Sequence, residues 1–104
     1  MDNWNNKQTD QLARAILGLE TIGEVKNFLR DLLTPGEIIE FGKRWQVANL
    51  LYKNTPYSKI EEKTGMSSTT IARVSKFLNN GMNGYRQVLE KQNHHQLPSS
   101  GERS

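Results

Sequence analysis

The sequence predicts an all-α protein of six helices, and three observations carry that prediction. Apolar residues recur three and four positions apart, as Leu12, Ala15, Ile16, Leu19, then Ile22, Val25, Leu29, Leu32, then Ile38, Phe41, Trp45, Ala48, Tyr52. Each series is one stripe on a helix of 3.6 residues per turn. Three segments, Thr21-Ile22-Gly23-Glu24, Thr34-Pro35-Gly36-Glu37 and Ser58-Lys59-Ile60-Glu61, match the capping box. In that motif the hydroxyl accepts from the third residue's N–H and the Glu reaches back to the cap's own N–H. No stretch sustains the two-residue alternation of a strand.

The helices are expected at 7–19, 21–33, 35–53, 58–64, 68–79 and 84–93. Pro35 stands at the first helical position, where its missing N–H has no intrahelical partner to lose. Asn54-Thr55-Pro56 ends the third helix, because Pro56 disfavours helical backbone at Thr55. Ser67 caps the fifth helix. Asn79-Asn80-Gly81 ends it, with Gly81 able to supply a positive φ. His94 to Ser104 is almost devoid of apolar residues and is expected to be a disordered tail. Residues 1–93 are then one domain.

Length and composition agree with one small domain. The 104 residues are 35% hydrophobic, which with eight glycines stays below the ~45–50% of an average globular domain. A monomer of this size is marginal, so a second subunit is expected to contribute. The absence of cysteine excludes a disulfide framework, a zinc-thiolate site and a cysteine nucleophile, and fits a reducing cytoplasm. No apolar run approaches the ~18 residues of a membrane span, and the polar start Met1-Asp2-Asn3-Trp4-Asn5-Asn6 does not read as a signal peptide. A cytoplasmic protein with no membrane partner is expected. Charge is uneven: residues 1–40 carry four Lys/Arg against seven Asp/Glu, 41–81 carry seven against two, and 82–104 carry three against two. The net +3 thus hides a basic middle, which suggests a polyanionic partner, although a solvated surface has the same composition.

The basic middle contains the most informative segment, Tyr57 to Leu78. Two short helices are separated by Gly65-Met66-Ser67, where Gly65 can take the left-handed backbone that a tight turn needs. Ile60, Met66, Ile71 and Val74 are placed to hold the helices at a steep angle. This is the sequence form of a helix-turn-helix. Ser67, Ser68, Thr69 and Thr70 at the start of the second helix, with Ala72 beside a thymine methyl, are candidate readers of base edges in a major groove. Lys53, Lys59, Lys63, Arg73 and Lys76 are candidate phosphate contacts. Glu61 stands where such motifs usually carry a small residue, and Glu61-Glu62 places negative charge near the DNA side. The same segment also reads as two ordinary short helices.

Leu33-Thr34-Pro35-Gly36-Glu37, Gly42-Lys43-Arg44, Leu50-Leu51, and Gly65 through Ile71-Ala72-Arg73-Val74-Ser75 with Leu78 resemble the Trp repressor family, and more closely its YerC/YecD-type branch. The similarity covers about residues 20–90. The resemblance implies a six-helix intertwined homodimer. Residues 7–53 would supply the dimerisation helices, 57–79 the DNA-reading head and 84–93 a C-terminal helix. It also implies a ligand site in which an indole lies between two arginines. These match Arg44 and Arg73, and the cap threonine matches Thr34. The family's founding member has glycine and serine where this chain has Val74 and Phe77. Val74 adds bulk beside a flat ring, and Phe77 removes a hydroxyl from a ligand ammonium, a costly loss in a buried site. Tryptophan is therefore not expected to be a co-repressor. No cofactor is expected, and another small effector stays open. Without a ligand, Arg44 can pair with Asp31 or with Glu40 one helical turn earlier, and Arg73 can contact phosphate.

Other residues point to no chemistry. Trp45 falls on the apolar stripe of the third helix and reads as core. Tyr52 and Tyr57 flank the loop before the reading head, where packing and phosphate contact are both open. Trp4 precedes the first helix, either free or packed on a partner. His94-His95 lacks a further His or Cys to complete a metal site. No phosphate-binding loop or nucleophile–base–acid set appears, so catalysis is not expected. The reading is a sequence-specific DNA-binding transcriptional regulator, of repressor type, acting as a homodimer on a two-fold symmetric operator. The alternative is a helical protein-interaction module that has lost DNA reading, which Glu61-Glu62 would favour.

Overall fold

The computed structural model describes residues 3–96, 99–100 and 102–103. The six expected helices are α1 (Lys7–Leu17), α2 (Ile22–Leu32), α3 (Pro35–Tyr52), α4 (Tyr57–Thr64), α5 (Ser68–Asn80) and α6 (Gly84–Gln96). By its internal packing the chain divides into two units, Met1–Ile38 and Ile39–Ser104, with the boundary inside α3.

In the first unit local hydrogen bonds set the helix ends. Asn6 caps α1, its Oδ1 accepting from the Thr9 N–H at 3.0 Å, and the Thr9 hydroxyl donates to the Trp4 carbonyl. The helix stops at Leu17, two residues earlier than periodicity predicts, because Gly18 takes the C-cap. Thr21 accepts from the Glu24 N–H at 3.0 Å as the motif requires. The Glu24 carboxylate, however, accepts from the Glu20 N–H rather than from that of Thr21. The Thr34 box is complete: Thr34 Oγ1 accepts from the Glu37 N–H at 3.1 Å, and Glu37 Oε1 accepts from the Thr34 N–H at 2.9 Å. No residue of α1 or α2 is buried, and the stripe residues Ile16, Ile22 and Leu32 are exposed.

The second unit holds the core. Val47 and Ala48 of α3, Ile60 of α4, Met66 of the turn, Ile71, Val74 and Leu78 of α5 and Leu89 of α6 are buried together. Trp45, Leu50, Leu51, Tyr52 and Tyr85 pack against them. The four residues assigned to hold the helix pair are all in this cluster. Trp45 is a partly buried flank of the core, its ring stacked on Tyr85 with centroids 6.1 Å apart. The α3 stripe is only partly inward: Ala48 is buried, whereas Phe41 is 47% exposed.

Three local expectations are corrected. Ser58 does not cap α4: the helix begins one residue earlier, after Pro56, which makes no side-chain cap, so Ser58 and Glu61 lie inside the helix. Gly81 has φ −89°, not a positive φ. A Cβ there would lie 2.4 Å from the Phe77 carbonyl oxygen, so glycine is needed for close approach. Among the described residues the left-handed positions other than Gly65 are Asn54, at φ 62°, after α3, and Asn83, at φ 70°, before α6. Lastly, α6 continues through His94 and His95 to Gln96, three residues past its expected end. Of the remaining expected tail, Ser99–Ser100 (β1) and Glu102–Arg103 (β2) are short paired extended segments, and residues 97, 98, 101 and 104 lie outside the described residues. Two-residue strands do not form a layer, and the fold is all-α.

Candidate nucleic-acid interface

The helix pair α4–α5 is built by its turn. Gly65 is the C-cap of α4, with φ 72° and ψ 6°, and its N–H donates to the Glu61 carbonyl at 2.8 Å. A Cβ at Gly65 would meet open space, so backbone conformation alone calls for glycine there. Thr64, not singled out from the sequence, is a buried polar residue at the end of α4. Its hydroxyl donates to the Ile60 carbonyl at 2.7 Å and accepts from the Met66 N–H at 3.1 Å. One side chain thus ties the last turn of α4 to the turn residue that closes the core. Thr64→Val keeps the volume but orphans the Met66 donor, so it is expected to destabilise the protein by about 1–3 kcal/mol. The midpoint of urea denaturation measures this.

Helix α5 presents two opposed faces. At about 100° per residue, Ser68, Thr69, Ala72, Arg73 and Lys76 occupy an arc of about 140°, and Ile71, Val74 and Leu78 lie roughly opposite. The first group is exposed and the second buried. Ser67 caps the helix, its Oγ accepting from the Thr70 N–H at 3.2 Å and lying 3.1 Å from the Thr70 hydroxyl. The Ser67 and Thr70 hydroxyls are therefore engaged in the cap. Among the described residues those of Ser68 and Thr69 make no hydrogen bond. Lys53, just past α3, and Lys59 and Lys63, one turn apart on α4, are exposed. Lys59 pairs with Glu62 at 3.7 Å, both side chains well solvated. Such a pair is weak and opens readily to a phosphate. Glu61 is exposed and does not enter the core.

Glu40, Arg44, Thr70, Arg73, Val74, Phe77 and Tyr85 line a cavity of about 100 Å³ behind this face. Arg44 Nε lies 3.3 Å from Glu40 Oε2, and its guanidinium carbon lies 5.7 Å from the Phe41 ring centroid. Of the two acids open to Arg44, Glu40 is the partner. Val74 is buried and Phe77 is 52% exposed. Thr34 is engaged in capping α3.

The family model of the Trp repressor protein matches residues 7–93. The chain belongs to the Trp repressor family. It is 38% identical over 91 residues to the uncharacterized protein YerC of Bacillus subtilis (strain 168), covering 88% of each chain. It superposes on a TrpR-like protein from Eubacterium eligens ATCC 27750 with a TM-score of 0.83 at 38% identity, over 86% of this chain and 93% of the other. A proposed Trp repressor from Staphylococcus aureus gives a TM-score of 0.81 at 36% identity, over 86% and 89%. The Trp repressor family is one of DNA-binding regulators, not enzymes. The small cavity brings together the two arginines that the family resemblance singles out. Among the described residues no helix is long and apolar enough to cross a membrane.

Proposed function

We propose that the protein is a sequence-specific transcriptional regulator of repressor type that binds a two-fold symmetric operator as a homodimer in the bacterial cytoplasm. One observation carries this reading: α5 sets a polar and basic face, Ser68, Thr69, Ala72, Arg73 and Lys76, opposite the face that anchors it in the core. Ser68 and Thr69 would read base edges, and Arg73 and Lys76, with Lys53, Lys59 and Lys63, would hold phosphates. Ser67 and Thr70 would contribute by shaping the helix start. Selection of bound sites from random duplex DNA tests this. Enrichment of a palindrome with half-sites about one helical turn apart is expected.

The exposed stripes of α1 and α2 support the dimer. Helices this short are not stable without tertiary packing, and no residue of either is buried within one chain. A partner would cover these stripes. Folding and association are then a single event, so the thermal midpoint is expected to rise with protein concentration. Scanning calorimetry over a hundredfold range of concentration checks this. A midpoint that does not move would speak for a folded monomer.

The arginine cavity supports a regulator that works without tryptophan. Ligand pockets usually span about 300–1,000 Å³, and the space between Arg44 and Arg73 is about 100 Å³. Val74 and Phe77 form part of its wall, and the Glu40 carboxylate engages the guanidinium that Arg44 would otherwise offer a ligand carboxylate. Calorimetric titration with L-tryptophan is expected to give no saturable heat to about 1 mM; saturation in the micromolar range would refute this. A second reading, an interaction module that no longer reads DNA, is favoured by exposed Glu61 and Glu62. Failure to bind random duplex DNA at low salt would support it.

A further inference from the structure

A larger cavity, of about 440 Å³, lies elsewhere in the second unit and shares no residue with the arginine cavity. Its polar lining includes Tyr52, Thr55, Tyr57, Ser75, Asn79 and Arg86, with one cation and no carboxylate. Arg86 is partly buried and held in place. Its Nη2 donates to Asn79 Oδ1 at 3.2 Å, and its guanidinium carbon lies 6.0 Å from the Tyr52 ring centroid. Asn79 is itself oriented, its Nδ2 donating to the Ser75 carbonyl at 3.0 Å. Arginine carries five N–H donors. Neither ion pair among the described residues includes Arg86, and Glu90, one turn further along α6, makes none with it.

We propose that this cavity binds a small organic oxyanion, a carboxylate or a phosphate monoester, anchored on Arg86. A planar guanidinium with free donors pairs with either group in a bidentate fork. The hydroxyls of Thr55, Tyr57 and Ser75 supply further donors, and the tyrosine rings supply apolar wall for the rest of the molecule. The volume falls within the usual range of a small-molecule site, about 300–1,000 Å³. DNA backbone is a poorer occupant: Ser75 and Asn79 lie in the C-terminal half of α5, whereas the N-terminal residues of a recognition helix enter the groove. The site stands whether or not the chain reads DNA.

The test is a titration of the isotope-labelled full chain with phenyl phosphate and, separately, with benzoate, at an ionic strength held constant with chloride. Saturable amide shifts are expected at Thr55, Asn79 and Arg86, and the probe that saturates at lower concentration identifies the preferred head group. Arg86→Gln is expected to weaken binding at least about tenfold, whereas Lys91→Gln, removing an exposed cation of α6 outside the cavity, leaves it unchanged. If Arg86→Gln loses the fold, Arg86→Lys replaces it. That variant keeps the charge but not the fork, and at least about threefold weaker binding is expected. The proposal is overturned if neither probe gives saturable shifts at these amides up to about 20 mM, or if the folded Arg86 variant binds as tightly as the wild type.

Discussion

Ile71→Ala is expected to destabilise the protein by about 2–5 kcal/mol, the range for removing most of a buried branched side chain and leaving a cavity. Ile71 is fully buried, as are Ile60, Val47 and Leu89, and it belongs to the cluster that joins α3, α4, α5 and α6. The surrounding backbone cannot collapse freely into the space, since three core residues, Ile71, Val74 and Leu78, come from the same helix. Equilibrium urea denaturation measures the effect as a lower midpoint with little change in slope. A loss below about 1 kcal/mol would mean that Ile71 is not buried in this way. Because α5 also carries the proposed DNA face, DNA affinity should be measured only where the variant is still folded.

Replacing both Arg73 and Lys76 by alanine is expected to cost about 30-fold in DNA affinity per reading head at 0.15 M salt, hence roughly a thousandfold for two heads, with the salt slope flattened by about one unit per lost contact. The loss should be nearly equal for operator and random DNA, because phosphate contacts position the protein and do not read sequence. Thr69→Ala should behave differently, changing which sites are preferred more than the affinity for random DNA. Gel shifts at three salt concentrations separate the two behaviours. Full affinity after the double substitution would remove α5 from the DNA interface. Arg73 also borders the small cavity beside Arg44 and Glu40.

Much of the α4–α5 helix pair was legible because its determinants are local. A left-handed turn between two short helices calls for glycine, and Gly65 is there with φ 72°. A helix start wants a hydroxyl to accept a free N–H, and Ser67 does so. Where the sequence misled, a local motif competed with a neighbouring one. Ser58-Lys59-Ile60-Glu61 has the form of a capping box, but Pro56 fixes an extended backbone one residue before Tyr57, so the helix starts ahead of its apparent cap. Gly81 resembles a positive-φ terminator, yet its role depends on the approach of the Phe77 carbonyl. Thr64 left no signal, because its value lies in two hydrogen bonds that appear only once the turn has closed. Arg86 was equally silent, since its setting is formed by Tyr52 and Asn79, distant from it in the chain or on another helix.

By itself the sequence determined the six helices, their order, most of their ends and the four residues that clamp the helix pair, all consequences of 3.6-residue periodicity, capping and turn chemistry acting within a few residues. The tertiary structure decided which apolar stripes are covered. Within one chain it buried the inner faces of α4 and α5 and no residue of α1 or α2, because burial depends on what lies opposite a stripe as well as on the stripe. It also set Arg86 of α6 against Tyr52 and Asn79 and facing a polar cavity, because side chains on different helices meet only after the helices have packed.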